Sequence, residues 1–243
     1  MEEKRINEIS QEKQDKNISL ADYSVRQLLL NRQEDLFLSI YKSEQLTKKI
    51  IYCMVYAFIF AGIYGVILGS YWGMQEGFVM ALKVPLVLFG TLLISLPLLF
   101  TYNIFLGTSL SLMQVAVIIL LATYLISVAL ISLASIVLLF VIYAEGAGFL
   151  NLLNIIFFVI AGSVGISFLW KTMDYFLHKS ESDTTTWAIK IWSVIYVFVG
   201  LQIAWILKVF GDLSELPVFK QLGIEGNFYM AIFELLKSLI ADD

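Results

Sequence analysis

The sequence is poor in the side chains that build disulfides, metal centres and nucleophilic active sites. Its 243 residues include one cysteine, Cys53, and one histidine, His178. A single subunit therefore forms neither an internal disulfide nor a multi-histidine metal site. The sequence has no glycine-rich phosphate loop ending in Lys-Ser or Lys-Thr, and no nucleophile elbow. We therefore predict that the protein is not an enzyme and that it binds no metal and no cofactor.

Charge is scarce as well. Charged residues make up 15% of the chain, against roughly 25% in soluble domains. Hydrophobic residues make up 59%, and the mean hydropathy is +0.83. The net charge is -4 and no basic patch follows the chain, so nucleic acid is not an expected partner. The composition predicts an integral membrane protein, with the lipid bilayer as its first partner.

The apolar runs predict an all-α integral membrane fold built on a five-helix transmembrane bundle. A crossing needs roughly 20 apolar residues. The third run is longer than a straight crossing requires, so it must tilt or lie partly in the interface. Loops are predicted at 71–82 and 171–186. We place the five spans at about 50–70, 84–106, 110–143, 149–170 and 187–209.

The flanking segments complete four predicted parts of the chain. Residues 1–17 form a polar tail, 18–49 an amphipathic cytoplasmic helical segment, 50–209 the transmembrane domain, and 210–243 an outer segment with a short apolar helix. Lys48 and Lys49 precede the first span and favour a cytoplasmic N-terminus, which puts the C-terminus outside after five crossings. We expect a multi-pass protein of the bacterial cytoplasmic (inner) membrane.

Two roles are open for the amphipathic pattern of residues 18–47. Apolar residues recur there at three- and four-residue intervals among charged ones. Such a helix can lie on the membrane surface or dock a cytoplasmic protein partner. It can equally pack against its own bundle.

Small residues recur at every fourth position from the first span onward. That spacing is close to one helical turn, so a second backbone can approach along the groove they form. We predict that spans one and two pack through this stripe, and that Gly65→Leu and Gly69→Leu disrupt assembly. The stripe consists of Ala57, Ala61, Gly65, Gly69 and Gly73, and continues to Gly77 and Ala81.

A few polar residues lie inside or at the ends of the spans. Charges near lipid normally find a partner, so we predict that Lys83 pairs with Glu145 or Glu76 at the outer edge of the bundle. The alternative is that these charges line the mouth of an ion or solute path. The uncharged amides can tie helices together or line an aqueous path. They are Asn103, Gln114, Asn151, Asn154 and Gln202.

These features favour a non-enzymatic membrane subunit that scaffolds or anchors a larger complex through its N-terminal cytoplasmic segment. The alternative is an oligomeric ion channel or pore, with polar residues of spans two and three lining the path. Both predict a homo-oligomer or a subunit of a membrane complex. No Asp or Glu lies in the apolar centre of a span, which disfavours ion-coupled transport.

Four separated motifs resemble an uncharacterised family of multi-spanning bacterial membrane proteins. They are ALKVPL at 81–86, LPLLF at 96–100, VGLQIAW at 199–205 and GNFY at 226–229. In that family the last span is commonly followed by Arg-Pro-Phe, whereas this chain has Lys208, Val209 and Phe210. More loosely, a polar tail, five spans and an outward C-terminus are similar to Yip1-type membrane proteins, which act in membrane organisation and trafficking. Neither resemblance implies a catalytic residue.

Overall fold

A computed structural model describes Leu29 and residues 33–105, 110–143, 147–179 and 187–210. The predicted polar tail, most of 18–32 and the C-terminal segment 211–243 lie outside these residues. Within the described ranges the chain is almost entirely helical. Its helices are α1 (Gln33–Tyr41), α2 (Leu46–Gly69), α3 (Met74–Phe105), α4 (Leu112–Tyr143), α5 (Ala147–Lys179) and α6 (Trp187–Ile206), and a 3₁₀ turn (Ser70–Trp72) links α2 to α3.

Four of these helices are long and apolar enough to cross a membrane. They cover Leu46–Trp72, Met74–Thr101, Leu112–Tyr143 and Phe149–Phe176. The predicted all-α, multi-pass membrane class is confirmed to that extent. The fifth predicted span corresponds to α6, which has 20 residues, and its apolar stretch Lys190–Ile206 is shorter than the other four. The fifth crossing stays a prediction.

Two predicted loops are wrong in their bounds. The chain reverses between Ser70 and Gly73, and α3 begins at Met74 rather than near residue 84. The predicted loop 71–82 is mostly helix, and this first part of α3 packs on α2, where Gly65 meets the backbone of Met80 and the Cβ position of Gly77 lies 3.3 Å from Val66 O. In the same way α5 continues to Lys179 rather than ending near residue 170. Its polar last turns are helical because their buried side, including Met173 and Phe176, packs on the bundle.

The helix α4 lies at the centre of the bundle. It contacts α1, α2, α3 and α5, and its first two thirds are largely buried. The consecutive pairs α2–α3 and α4–α5 form antiparallel hairpins, and α6 packs mainly on α3. The helices α5 and α6 touch each other only slightly. A gap therefore opens between them on the outside of the bundle.

Two helices end in the same hydrogen-bonded motif, in which a left-handed residue closes the last turn. After α1, Ser43 (φ 59°) donates its N–H to Ile40 O and Glu44 donates to Ser39 O. After α6, Lys208 (φ 51°) and Val209 donate to Trp205 O and Ala204 O, both at 3.0 Å. The second reversal directs Val209 and Phe210 back into the bundle, where both are buried.

The link between α1 and α2 offers a test of backbone strain. Gln45 is exposed, has φ 50° and ψ 36°, and its side chain makes no capping hydrogen bond. This left-handed conformation destabilises the folded state by about 1–2 kcal/mol when the residue is not glycine. Glycine avoids that strain, but the greater conformational entropy of glycine in the unfolded chain offsets part of the gain. We expect Gln45→Gly to raise stability by about 0.5–1 kcal/mol in thermal unfolding of the detergent-solubilised protein. Gln45→Val should lower it, and equal stability of the two variants would contradict the strain.

Candidate functional site

Two glycines of the predicted stripe bring the backbones of α2 and α3 into contact. A Cβ atom on Gly65 would overlap the carbonyl group of Met80. A Cβ atom on Gly69 would lie 2.6 Å from the carbonyl oxygen of Glu76 and 2.8 Å from the Cα of Gly77. Because the obstructing atoms are backbone, no rotamer change relieves the overlap. Glycine is therefore required at both positions for this hairpin to close.

The stripe does not follow one interface along its whole length. Ala57 and Ala61 are fully buried, and they share a face of α2 with Tyr64. A spacing of four residues advances about 40° per step on an α-helix, so the stripe winds from that face to the one that meets α3. Gly62 also faces α3, with its Cβ position 3.4 Å from Ala81 O. The four-residue pattern missed Gly62, whereas the spacing 62, 65, 69 identifies it.

Gly73 departs from the predicted packing role. It lies in the turn before α3 with φ 121°, and nothing lies within 4 Å of its Cβ position. Its contribution is conformational, because a residue with a side chain rarely adopts this backbone geometry. The last member of the predicted packing set is thus a turn residue.

The predicted outer ion pair is not formed with Glu76. Glu76 and Lys83 lie on the same helix, about 10 Å apart along its axis, and no ion pair joins them. Because α3 begins at Met74, Lys83 lies well inside a candidate span rather than at its end. The other predicted partner, Glu145, lies outside the described residues. Within those residues, no three His, Cys, Asp or Glu side chains are grouped to hold a metal ion.

Gln114 ties the N-terminal helix to the centre of the bundle. Its Nε2 donates to Ile40 O and Tyr41 O, both at 2.9 Å, and to Ser43 Oγ at 3.2 Å. Its Oε1 accepts the N–H of Ser111 at 2.7 Å. One buried amide thereby caps the end of α1 and closes the start of α4. It adds a hydrogen bond to Ile40 O, which also accepts the N–H of Ser43, and another to Tyr41 O.

Asn154 forms a second tie at the opposite end of the bundle. Its Oδ1 accepts the hydroxyl of Tyr64 at 2.8 Å, and its Nδ2 donates to Val209 O at 2.9 Å. The side chain is 1% exposed. It connects α2, α5 and the residues that follow α6, so three separate parts of the chain depend on one amide.

The remaining predicted amides differ from these two. Asn151 is buried on α5, one turn before Asn154. Gln202 lies on α6, and its Oε1 is buried without a hydrogen-bond partner among the described residues. Asn103 belongs to the last turn of α3, but its side chain lies outside the described part of the structure. Of the described amides, Gln114 and Asn154 make hydrogen bonds at opposite ends of the bundle rather than around a common path.

The helix α1 packs on the end of its own bundle. Leu36, Phe37 and Ile40 are buried. The ring of Phe37 lies 5.3 Å from Tyr175 and 5.9 Å from Phe168, both on α5. Lys171 donates to the Gln33 side chain at 2.6 Å. Of the two roles open for this segment, its described part therefore shows packing on the bundle.

No family model, curated protein or solved structure matches this chain. Sequence and geometry together define a helical protein with four helices long and apolar enough to cross a membrane, as in a multi-pass membrane protein.

Proposed function

We propose that the protein is a non-catalytic membrane subunit that anchors another protein through its N-terminal cytoplasmic segment. The observation that carries the proposal is the Gln114 tie, because it fixes α1 rigidly to one end of the bundle. A partner that binds α1 would then meet a helix held on the bundle by hydrogen bonds. The apolar side of α1 is already covered, so its outward side, which includes exposed Glu34, is the surface offered to a partner.

The lysines support a cytoplasmic location for this end. Lys48, Lys171 and Lys190 are exposed and lie at the end of the bundle where α1 packs. Lysines and arginines near the ends of spans favour the cytoplasmic side. We therefore propose an inner-membrane protein with its N-terminus inside and its C-terminus outside after five crossings. The motif resemblance further leads us to propose membership of the multi-spanning bacterial family described above.

The alternative of a pore receives less support from the polar side chains. Gln114 and Asn154 are both engaged within one chain. On α4, Thr123 and Ser127 are buried and donate to carbonyls of their own helix. The exposed hydroxyl of Ser132 does the same. These groups serve the structure of the chain, whereas a water-filled path needs polar groups directed into a lumen.

Site-specific photo-crosslinking in native membranes tests the anchoring role. A benzophenone amino acid at Glu34, on the outward side of α1, should give a discrete adduct with another protein. The same group at Tyr143, which is 75% exposed at the other end of α4, is the matched control and should not. Gln114→Leu should reduce the Glu34 adduct, because α1 loses its hydrogen bonds to α4. The same pattern of crosslinked adducts at Glu34 and Tyr143 would contradict the proposal.

Conductance of the purified protein in planar bilayers separates anchor from pore. We expect no discrete openings from the full chain. Reproducible openings would overturn the anchoring role in favour of the pore, and the next variants would then be at Asn103 and Lys83, which lie on α3.

A further inference from the structure

A cavity of about 280 Å³ lies in the gap between α5 and α6. We call it the α5–α6 cavity. Side chains of α3 and α4 form its inner wall, and Phe210 contributes from the turn after α6. Glycine at two lining positions leaves space, because nothing lies within 4 Å of the Cβ position of Gly162 and the Cβ position of Gly200 lies 3.4 Å from the side chain of Thr91.

The α5–α6 cavity lies near the middle of the bundle's length. Three of its lining residues, Thr91, Ile126 and Gly162, are close to the midpoints of the candidate spans Met74–Thr101, Leu112–Tyr143 and Phe149–Phe176. In a bilayer this depth corresponds to the hydrocarbon core. The gap between α5 and α6 therefore opens toward lipid chains and not toward water or headgroups.

The polar side chains that line the cavity are already engaged. The hydroxyl of Thr91 donates to Val87 O, and that of Ser163 to Ile160 O, both at 2.7 Å. The Tyr196 hydroxyl is hydrogen-bonded to the side chain of Thr123. The described lining thus offers no charge and no unmet hydrogen bond with which to select a polar ligand. Water is also a poor occupant, because it needs two to four polar partners.

We propose that the α5–α6 cavity binds one hydrocarbon chain of a membrane lipid. An apolar cavity of about 150 Å³ stays dry and accepts benzene, so one of this size holds a longer apolar segment. A whole helix, about 10 Å wide, is too large for it. This site stands independently of the anchoring role, since none of its lining residues belongs to α1.

Photolabelling of the full-length protein in phosphatidylcholine nanodiscs tests the site. A small fraction of the lipid carries a diazirine at the middle of one acyl chain, and modified residues are mapped by mass spectrometry. Ile126 and Tyr196 are 4% and 7% exposed, so bulk lipid reaches them poorly, whereas Leu93 is 71% exposed on α3. We expect labelling of Ile126 and Tyr196 to saturate as the probe fraction rises, and labelling of Leu93 to rise in proportion.

Two phenylalanine variants of α5 provide the matched comparison. In Gly162→Phe the ring occupies the α5–α6 cavity, and labelling of Tyr196 should fall at least about tenfold, equivalent to roughly 1.4 kcal/mol of binding. Val164→Phe adds the same ring at a 42% exposed position outside the lining, and should leave labelling unchanged. The saturation measurement uses the unaltered protein, so it remains decisive even where Gly162→Phe fails to fold.

Three results would overturn the proposal. One is labelling at Ile126 and Tyr196 that is absent, or that never saturates. Another is labelling that appears only after removal of residues 211–243, which continue directly from Phe210, because the chain itself would then fill the cavity. The third is labelling that appears only at one copy per nanodisc, because a second copy of the protein would then be the occupant.

Discussion

Gly65→Ala is expected to abolish stable folding of the transmembrane bundle, although it adds a single methyl group. The new Cβ atom would overlap the backbone of Met80 and lie 3.0 Å from the Cα of Ala81. Overpacking against movable side chains already costs about 1–3 kcal/mol, and here the whole of α3 must shift. We expect a loss of more than about 3 kcal/mol, with little monodisperse protein in detergent. Gly65→Leu, predicted from the sequence to disrupt assembly, should be worse.

The same substitution at two glycines of α5 supplies the controls. At Gly165 the added Cβ would lie 2.5 Å from Cγ1 of Ile126, whose side chain can rotate, so Gly165→Ala should destabilise less than Gly65→Ala. At Gly162 nothing lies within 4 Å, and Gly162→Ala should leave stability unchanged or raise it by up to about 1 kcal/mol. Fluorescence-detected size exclusion and thermal unfolding rank the three variants by stability. Equal behaviour of the three variants would refute the close backbone approach.

Hydropathy identified the helices because crossing a bilayer imposes a length and an apolar composition on a segment. It placed some helix ends poorly, because those ends are set by local backbone geometry. The chain reverses within a 3₁₀ turn and one residue, Gly73, with φ 121°. The residues after Gly73 are therefore free to continue as helix. The end of α6 depends on Lys208, a non-glycine residue in a left-handed conformation. Neither signal is visible in a hydropathy pattern.

The amides illustrate a different limit of sequence analysis. Their residue type indicates hydrogen bonding within the bundle, which Gln114 and Asn154 show. Their partners were not foreseeable, because Gln114 bonds to a carbonyl 74 residues earlier and Asn154 to a hydroxyl 90 residues earlier. Such pairs follow from which helices become neighbours. In lipid, that choice is governed by close packing of small residues rather than by apolar surface alone.

Close backbone packing and buried amides hold different parts of the bundle together. The glycine contacts of Gly65 and Gly69 close the α2–α3 hairpin near its turn. The Gln114 tie fixes α1 at the proposed cytoplasmic end, and the Asn154 tie fixes the chain after α6 at the other. The helices α5 and α6 have little direct contact, so a few hydrogen bonds join them: the Asn154 tie after α6, and the bond from Trp170 Nε1 on α5 to Ser193 Oγ on α6 at 2.7 Å.

Asn154→Leu should therefore destabilise the protein and loosen the end of α6. It removes both hydrogen bonds and leaves the Tyr64 hydroxyl and the Val209 carbonyl buried without partners. Each orphaned group costs about 1–3 kcal/mol in a protein interior, and interhelical hydrogen bonds in membranes average about 0.6 kcal/mol. We expect a total loss of about 2 kcal/mol. Asn151→Leu, a buried position one turn earlier on α5, is the control and should cost less.

A double-mutant cycle isolates the contact itself. Tyr64→Phe removes the hydroxyl and leaves Asn154 its bond to Val209 O, so it should cost about 1 kcal/mol. The double variant should lose roughly 0.5–1.5 kcal/mol less stability than the two single variants lose in sum, because both substitutions remove the same hydrogen bond between the two side chains. Hydrogen exchange at residues 207–210 should increase in Asn154→Leu and not in Tyr64→Phe, since only the former loses the bond to Val209. Strict additivity of the two substitutions would show that the hydrogen bond does not form in the membrane.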